Sequence, residues 1–340
     1  MATNTKVNLF VPLVMALGLF AGCKPNNAGA GEKDAATKQS KYRVLPDSHG
    51  GTLDLIVVAK DPIWQGPAGE ALRKHFTEMQ YGLPQPEPRF QVNQVNPGEY
   101  NDLLQRTRYQ ILLSLGDSAV ELQTNLHAKN QLIAYLSAPT ELELAQLINA
   151  AQSDLRNKFR QKDLKRIYSR LKPKLQFNTT PVLRENHIKL GIPRGYDLEV
   201  EEAKTLLYWK KTAAVDKGIL INFRPLPKDE NILGSTIIPV RDSLTKTHLL
   251  GEKPNSYMVT ETLLKPQLQA MELQGQFAME ARGLWRMEGD IFGGPFISYT
   301  IYDEKHNQII YLDAFVFAPN QNKRNQLFEL EALLKGVKIK

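Results

Sequence analysis

Residues 53–59 read LDLIVVA, a strand-length run rich in branched apolar side chains, and the pattern predicts a β-strand. Gly66 and Pro67 then open a helix, since proline suits the first helical position, where its missing N–H is no loss. Ala68, Leu72, Phe76 and Met79 recur every three or four residues and share one face, and Gly82 is placed to close the helix. The segment Leu83-Pro84-Gln85-Pro86-Glu87-Pro88 excludes helix. It leads into a short strand over 89–95, a brief helix over 97–106, and apolar strands over 109–115 and 131–137. The longest helix is expected from Pro139 to about Leu171, with Leu144, Leu147, Ile148, Ala151, Leu155 and Phe159 as its buried stripe. This order of elements is that of a small α/β sandwich.

Few apolar residues occur over 177–185, and Pro181 marks a boundary there. A second unit is expected to start with a strand over 187–192, stopped by Pro193-Arg194-Gly195. Strands follow at 206–210 and 218–223, then a helix over about 231–245. Over 277–286 the residues alternate, so Phe277, Met279, Ala281, Gly283 and Trp285 are expected to face the core and Glu280, Arg282 and Arg286 to face away. Strands at 296–302 and 309–317 flank the polar stretch 303–307 as a hairpin. Asn320 is the expected cap of a final helix with Leu327, Leu330 and Leu334 inward, ended by Gly336. The fold class is therefore α+β: two mixed α/β sandwich units over 46–178 and 179–340, the second with an antiparallel sheet and a terminal helix.

The first 45 residues follow another pattern. Lys6 precedes an apolar stretch over 7–20, broken by Asn8, Pro12 and Gly18 and too short for the about 20 residues a bilayer core demands. Ala21 and Gly22 then precede Cys23, the only cysteine. This layout of 1–22 reads as a secretory signal, and the junction resembles the lipobox of bacterial lipoproteins, with Phe20 where that family usually has leucine. The resemblance implies a diacylglycerol on the Cys23 sulfur, cleavage before it, and acylation of the new amine. Several acyl chains anchor a protein stably without a spanning helix. Residues 23–45 are expected to be a flexible tether, because up to Lys41 nothing aromatic or branched-aliphatic can offset the cost of ordering. Lys24 follows the cysteine and no acidic residue comes before Glu32, which by the same resemblance favours a periplasm-facing protein anchored in the outer membrane.

Composition narrows the classes further. In 340 residues, 42% hydrophobic and 23% charged, collagen-like, mucin-like and wholly disordered chains are excluded. One cysteine excludes a disulfide framework and any cysteine-cluster metal site. The net charge is +7, and the second half of the long helix is very basic, with Arg156, Lys158, Arg160, Lys162, Lys165, Arg166, Arg170, Lys172 and Lys174 against only Asp154 and Asp163. Nucleic acid does not suit the expected address, whereas anionic headgroups or an acidic partner face do. The commonest origin of such a pattern is a solvated helix face.

Candidate chemistry is sparse. None of the six histidines has helical metal-ligand spacing to another, and no Gly-x-Ser-x-Gly elbow or phosphate loop occurs. No metal or cofactor is expected on this basis, and no catalytic residue is assigned. Trp64 follows the first strand, where ligand loops are common, and reads either as a recognition aromatic or, more in keeping with how tryptophans distribute, as a hydrophobic plug. Arg241, Asp242, Glu280, Arg282, Trp285 and Phe296 could converge on a polar pocket or form structural ion pairs. In a pocket, the planar fork of Arg241 or Arg282 suits binding a carboxylate or phosphate better than catalysis.

Taken in order, the lipobox, Asp61-Pro62-Ile63-Trp64, the proline-rich 83–88, Arg241-Asp242, Arg282-Gly283-Leu284-Trp285 and Gly293-Gly294-Pro295-Phe296 resemble an uncharacterised bacterial lipoprotein family, DUF4837-like. That family implies an address and no reaction. The expected function is a lipid-anchored cell-envelope protein with a binding or assembly role, partnered by the membrane and an envelope protein. Two rivals are an envelope hydrolase or glycan-binding enzyme using Asp242 or Glu280 with Arg282 and Trp285, and a surface nutrient-binding lipoprotein. The first rival requires those side chains to line one concavity.

Overall fold

The computed structural model describes residues 44–177, 180–227 and 235–340. The signal sequence, Cys23 and nearly all of the tether therefore lie outside the described residues. Residues from Leu45 to Lys340 form one compact unit, and its class is α+β.

The first part runs β1 (Asp54–Val58), α1 (Asp61–Gln65), α2 (Pro67–Phe76), β2 (Gln91–Val95), α3 (Asp102–Gln105), β3 (Tyr109–Leu115), β4 (Ala119–Thr124), β5 (Leu132–Ala138) and α4 (Glu141–Leu171). Its five strands order as β2-β1-β3-β5-β4, parallel except for the antiparallel edge strand β4. Helices α2 and α4 pack together beside it. Thr140 starts α4 where the pattern placed the start, accepting the Glu143 N–H at 3.2 Å while its hydroxyl donates to the Glu143 carboxylate at 2.8 Å.

The second part begins with β6 (Leu175–Gln176), α5 (Pro181–Glu185), β7 (Ile188–Lys189) and β8 (Ile192–Pro193). Seven strands follow or flank one helix: β9 (Asp197–Glu201), β10 (Thr205–Lys210), β11 (Asp216–Pro225), α6 (Ile237–His248), β12 (Tyr257–Thr260), β13 (Gln267–Leu273), β14 (Gln276–Glu288) and β15 (Gly293–Asp303). The chain ends in β16 (Gln308–Phe317), α7 (Arg324–Lys335) and β17 (Lys338–Ile339). Eight strands make one antiparallel sheet, β12-β14-β15-β16-β11-β10-β9, with β13 also paired to β14.

This large sheet is covered on both faces. Leu207, Leu220, Ala281, Trp285, Phe296 and Phe315 form one cluster with Leu244 of α6. The opposite face, carrying Ile219, Ala278, Ile297 and Leu312, shares the main core with Leu333 of α7, Phe159 of α4 and Leu55 of β1. The expectation of one core-facing and one outward face on β14 is thereby corrected. Arg282 is buried and Glu280 mostly so on the second face, while Phe277, near the open end of the strand, stays 44% exposed. Gly283 keeps the ladder in register without a bulge, opposite Phe296. The first part approaches it closely: Gly82, at φ +77°, lies so near that a Cβ there would be 3.2 Å from the Gly283 nitrogen.

Three smaller expectations also change. Helix α2 stops at Phe76, capped by Thr77, and Gly82 belongs to a later turn. The stretch 187–192 forms two two-residue strands, with His187 at φ +58°. Asn320 does not cap α7, which starts at Lys323 and Arg324 under a carboxylate from the first part: Glu87 accepts their backbone N–H groups at 2.6 and 3.1 Å. Among the described residues no helix is long and apolar enough to cross a membrane.

Candidate functional site

The residues singled out from the sequence divide between the two faces of the large sheet. On the α6 side, Arg241 is wholly buried. Its Nε donates to Asp313 Oδ2 at 2.9 Å, its Nη1 donates to the Thr260 hydroxyl at 3.0 Å, and its guanidinium lies 3.7 Å from the centre of the Phe296 ring. The Tyr311 hydroxyl donates to the same Asp313 oxygen at 3.1 Å. Asp242 accepts the Thr260 N–H at 2.8 Å and its hydroxyl at 2.6 Å. Trp285 belongs to this layer, packed edge-on against Phe315, with its Nε1–H given to the Val316 carbonyl at 3.3 Å. Burial pushes the Asp313 carboxyl up, although Arg241 pulls it down. Arg241 and Asp313 are both without exposed surface, so their pair ties α6 to the sheet and offers a solute no access.

On the opposite face the even residues of β14 meet α7 and α4. Arg282 Nε donates to Glu280 at 2.5 Å, and its Nη2 lies 2.7 Å from Glu331 of α7. Glu331 also takes Arg160 of α4 and, at 3.0 Å, Lys335. Burial alone would raise the Glu331 carboxyl, but Arg160, Arg282 and Lys335 outweigh it and hold it far below the ordinary carboxylate range. Glu280 is lowered too: burial acts against it, Arg282 acts for it, and the Tyr299 hydroxyl donates to its second oxygen at 2.9 Å.

Above this inner tier opens a cleft of about 430 Å³, walled by α4, α7, β13, β14 and the segment before β2. Arg89 and Arg156 stand at its rim, 3.2 and 3.1 Å from the half-exposed Glu78. Gln267 and Gln269 of β13 pair across the ladder with Arg282 and Glu280 and so project on the same side. The lining is cationic and amide-rich, and it suits a polar anion by ion pairing and hydrogen bonding. Among the described residues no group of three or more His, Cys, Asp or Glu side chains is placed to hold a metal ion.

The six second-half candidates thus do not form one site. Arg241, Asp242, Trp285 and Phe296 lie on the α6 side of the sheet, whereas Glu280 and Arg282 lie across the β14 backbone from them. The pocket combining Asp242 or Glu280 with Arg282 and Trp285 is not assembled. Trp64 lies outside the cleft, half-buried against the core, with the Arg73 guanidinium 4.7 Å over its ring and Gly69 tight against its backbone. Sequence reasoning missed Arg89, Lys335, Gln267 and Gln269 among the lining residues, and the buried Glu331 beneath them. Arg156 and Arg160 belong to the basic helix half that the sequence assigns to a solvated face, or to anionic headgroups or an acidic partner, rather than to a cleft. Their i, i+4 spacing places two guanidiniums on one side of α4, and that was the available signal.

Residues 176–336 match a domain of unknown function, DUF4837, and residues 48–172 match a second, DUF8532. No curated protein matches the chain. Among solved structures, the Ran-binding protein Mog1p of Saccharomyces cerevisiae is similar at 10% identity and TM-score 0.30, over 46% of this chain and 92% of that one. A protein of unknown function from Pseudomonas aeruginosa, titled a putative regulator, is similar at 9% identity and TM-score 0.25, over 48% and 94%.

Proposed function

We propose, from the match of residues 176–336 to DUF4837 and of 48–172 to DUF8532, that the chain is a lipid-anchored protein of the bacterial cell envelope with a binding or assembly role. The carrying observation is the cleft, where side chains from both family-matched regions converge on an open, charged and amide-rich concavity. Arginines and glutamines reach it from a helix and a strand, which is how rigid elements present a polar binding site. The anchor follows from Ala21-Gly22-Cys23 behind a short apolar stretch. On this reading, Cys23 holds the protein on the outer membrane facing the periplasm, and the cleft engages a partner or solute there.

Two measurements test the two parts separately. Metabolic labelling with a tagged fatty acid should mark the protein and leave Cys23→Ser unlabelled. Undiminished label in the variant removes the anchor. A photo-crosslinking residue at Gln269, on the cleft wall, should capture one recurrent species in cells, whereas the same residue at exposed Thr247 on α6 should not. Equal or absent capture at both positions removes the binding role of the cleft.

A further inference from the structure

The charges around the cleft do not balance. Arg89, Arg156, Arg160, Arg282 and Lys335 are five cations, and the carboxylates paired with them are three: Glu78, Glu280 and Glu331. Two positive charges remain. The inner carboxylates are fully engaged, since Glu331 meets three cations and Glu280 has Arg282, Lys335 at 3.9 Å and the Tyr299 hydroxyl. One of the two sits at the open end, where Arg89 and Arg156 share the single carboxylate of Glu78, and the other among Arg160, Arg282 and Lys335, which share Glu280 and Glu331. The Arg89 Nε lies 3.2 Å from the Glu78 carboxylate, an ion pair without hydrogen-bond alignment. Burial weakens the charge on Arg89, Glu78 supports it, and Arg156, Arg160 and Arg282 oppose it, so three other guanidiniums lie within electrostatic reach of Arg89. Such crowding is unfavourable until a counter-charge enters.

Resting on the reading of the cleft as a binding site, we propose that it takes a phosphate monoester. The dianion sits among Arg89, Arg156 and Arg160, and a hydroxyl-bearing body lies along Gln161, Gln267 and Gln269. The monoester carries nearly the two negative charges that the surplus calls for, on three oxygens that several arginine forks can share. A monocarboxylate supplies one charge on two oxygens. The glutamine amides offer donors and acceptors for hydroxyl groups beside the phosphate. Glu280 and Glu331 close the floor and keep the anion at the outer tier, because a phosphate pressed against them would meet like charge.

The test is titration calorimetry and thermal unfolding of the full chain with inorganic phosphate, glucose 6-phosphate, succinate and glucose. Both phosphates should bind saturably and raise the unfolding midpoint, glucose 6-phosphate more tightly, and glucose should do neither. Arg89→Gln and Arg156→Gln should each weaken binding about tenfold or more, the loss of one charge-assisted hydrogen bond. Arg89→Gln should leave the midpoint of the free protein in place, since it relieves crowding, and Arg73→Gln, beside Trp64, should bind as the parent does. Co-sedimentation with phosphatidylcholine vesicles containing phosphatidic acid separates a lipid headgroup from a soluble sugar phosphate as the source of the monoester. Arginine-dependent binding of succinate without either phosphate overturns the phosphate assignment and leaves the cleft a binding site. Failure of every solute and vesicle, or parent-like phosphate binding by both arginine variants, overturns the assignment outright, while the capture at Gln269 judges the wider reading by itself.

Discussion

Trp285 shows what the alternation of one strand can fix. It keeps 4% of its surface exposed, and its ring is held by Phe315 and Phe317. Trp285→Ala should cost about 3–5 kcal/mol in chemical denaturation, the loss typical of a buried large aromatic. A loss below about 1 kcal/mol would place the residue outside the core. Arg241 and Asp313 call for a different experiment. Arg241→Met alone leaves a buried carboxylate without its partner and should cost about 3–5 kcal/mol, whereas Arg241→Met with Asp313→Leu should recover most of that, because both desolvated charges are gone. The same midpoint for single and double variants would show that the pair is not the main contact of α6 with the sheet. Arg241 and Asp242 were visible in the sequence as charged neighbours. Their separation from Glu280 and Arg282 was not, because a period-two pattern assigns faces without saying that both faces are covered.

At the scale of elements, long buried runs were legible and thin edges were not. Strand β3 and helix α4 end where the apolar pattern places them, since each has a continuous stripe to bury. Strand β4 escaped notice: Val120 and Leu122 are 42% and 38% exposed, and as an edge strand it has only β5 to pair with. Strands β9 and β13 are comparably exposed, so hydrogen bonding to a neighbour defines them more than side-chain burial does. The start of α7 is a similar case. Its cap comes from Glu87, over 230 residues away in sequence, and no local signal announces it. Glu87→Ala should lower stability by about 1–2 kcal/mol. It should also speed amide exchange at Lys323 and Arg324 ahead of the rest of α7. Unchanged exchange there would mean that water replaces the carboxylate at no cost.

For the whole molecule, the inner tier of the cleft makes stability depend on acid. Glu331 and Glu280 both have carboxyls held below their ordinary value of 4.5 in the folded state. Their contribution is complete above the unfolded value and is lost as pH falls from there toward the folded values. Asp313 has the opposite sign, because burial raises its carboxyl, so falling pH favours the fold at that group. The net slope of unfolding free energy between pH 6 and about 3 should therefore be positive with rising pH. It should flatten in Glu331→Gln even though that variant is less stable throughout. An unchanged slope would show that Glu331 is not held as a depressed acid. The cleft itself could not be read from sequence. Arg89, Arg160, Arg282 and Lys335 span about 250 residues, and only the packing of α7 against α4, β15 and β16, with the Arg282–Glu331 ion pair, gathers them.

The clasp at the start of α7 bears on how such a chain can be inherited. Glu87 holds the Lys323 and Arg324 amides, while the Arg324 guanidinium donates to the carbonyls of Pro88 and Thr52 at 2.6 and 3.1 Å. All three acceptors lie within the DUF8532 match and both donors within the DUF4837 match. A gene fusion or exchange that gave either region a foreign neighbour would strand buried polar groups on both sides of the seam, and each such group costs about 1–3 kcal/mol. The two regions are therefore expected to travel through genomes as one cassette. If expressed from two separate reading frames, they should accumulate only when made together.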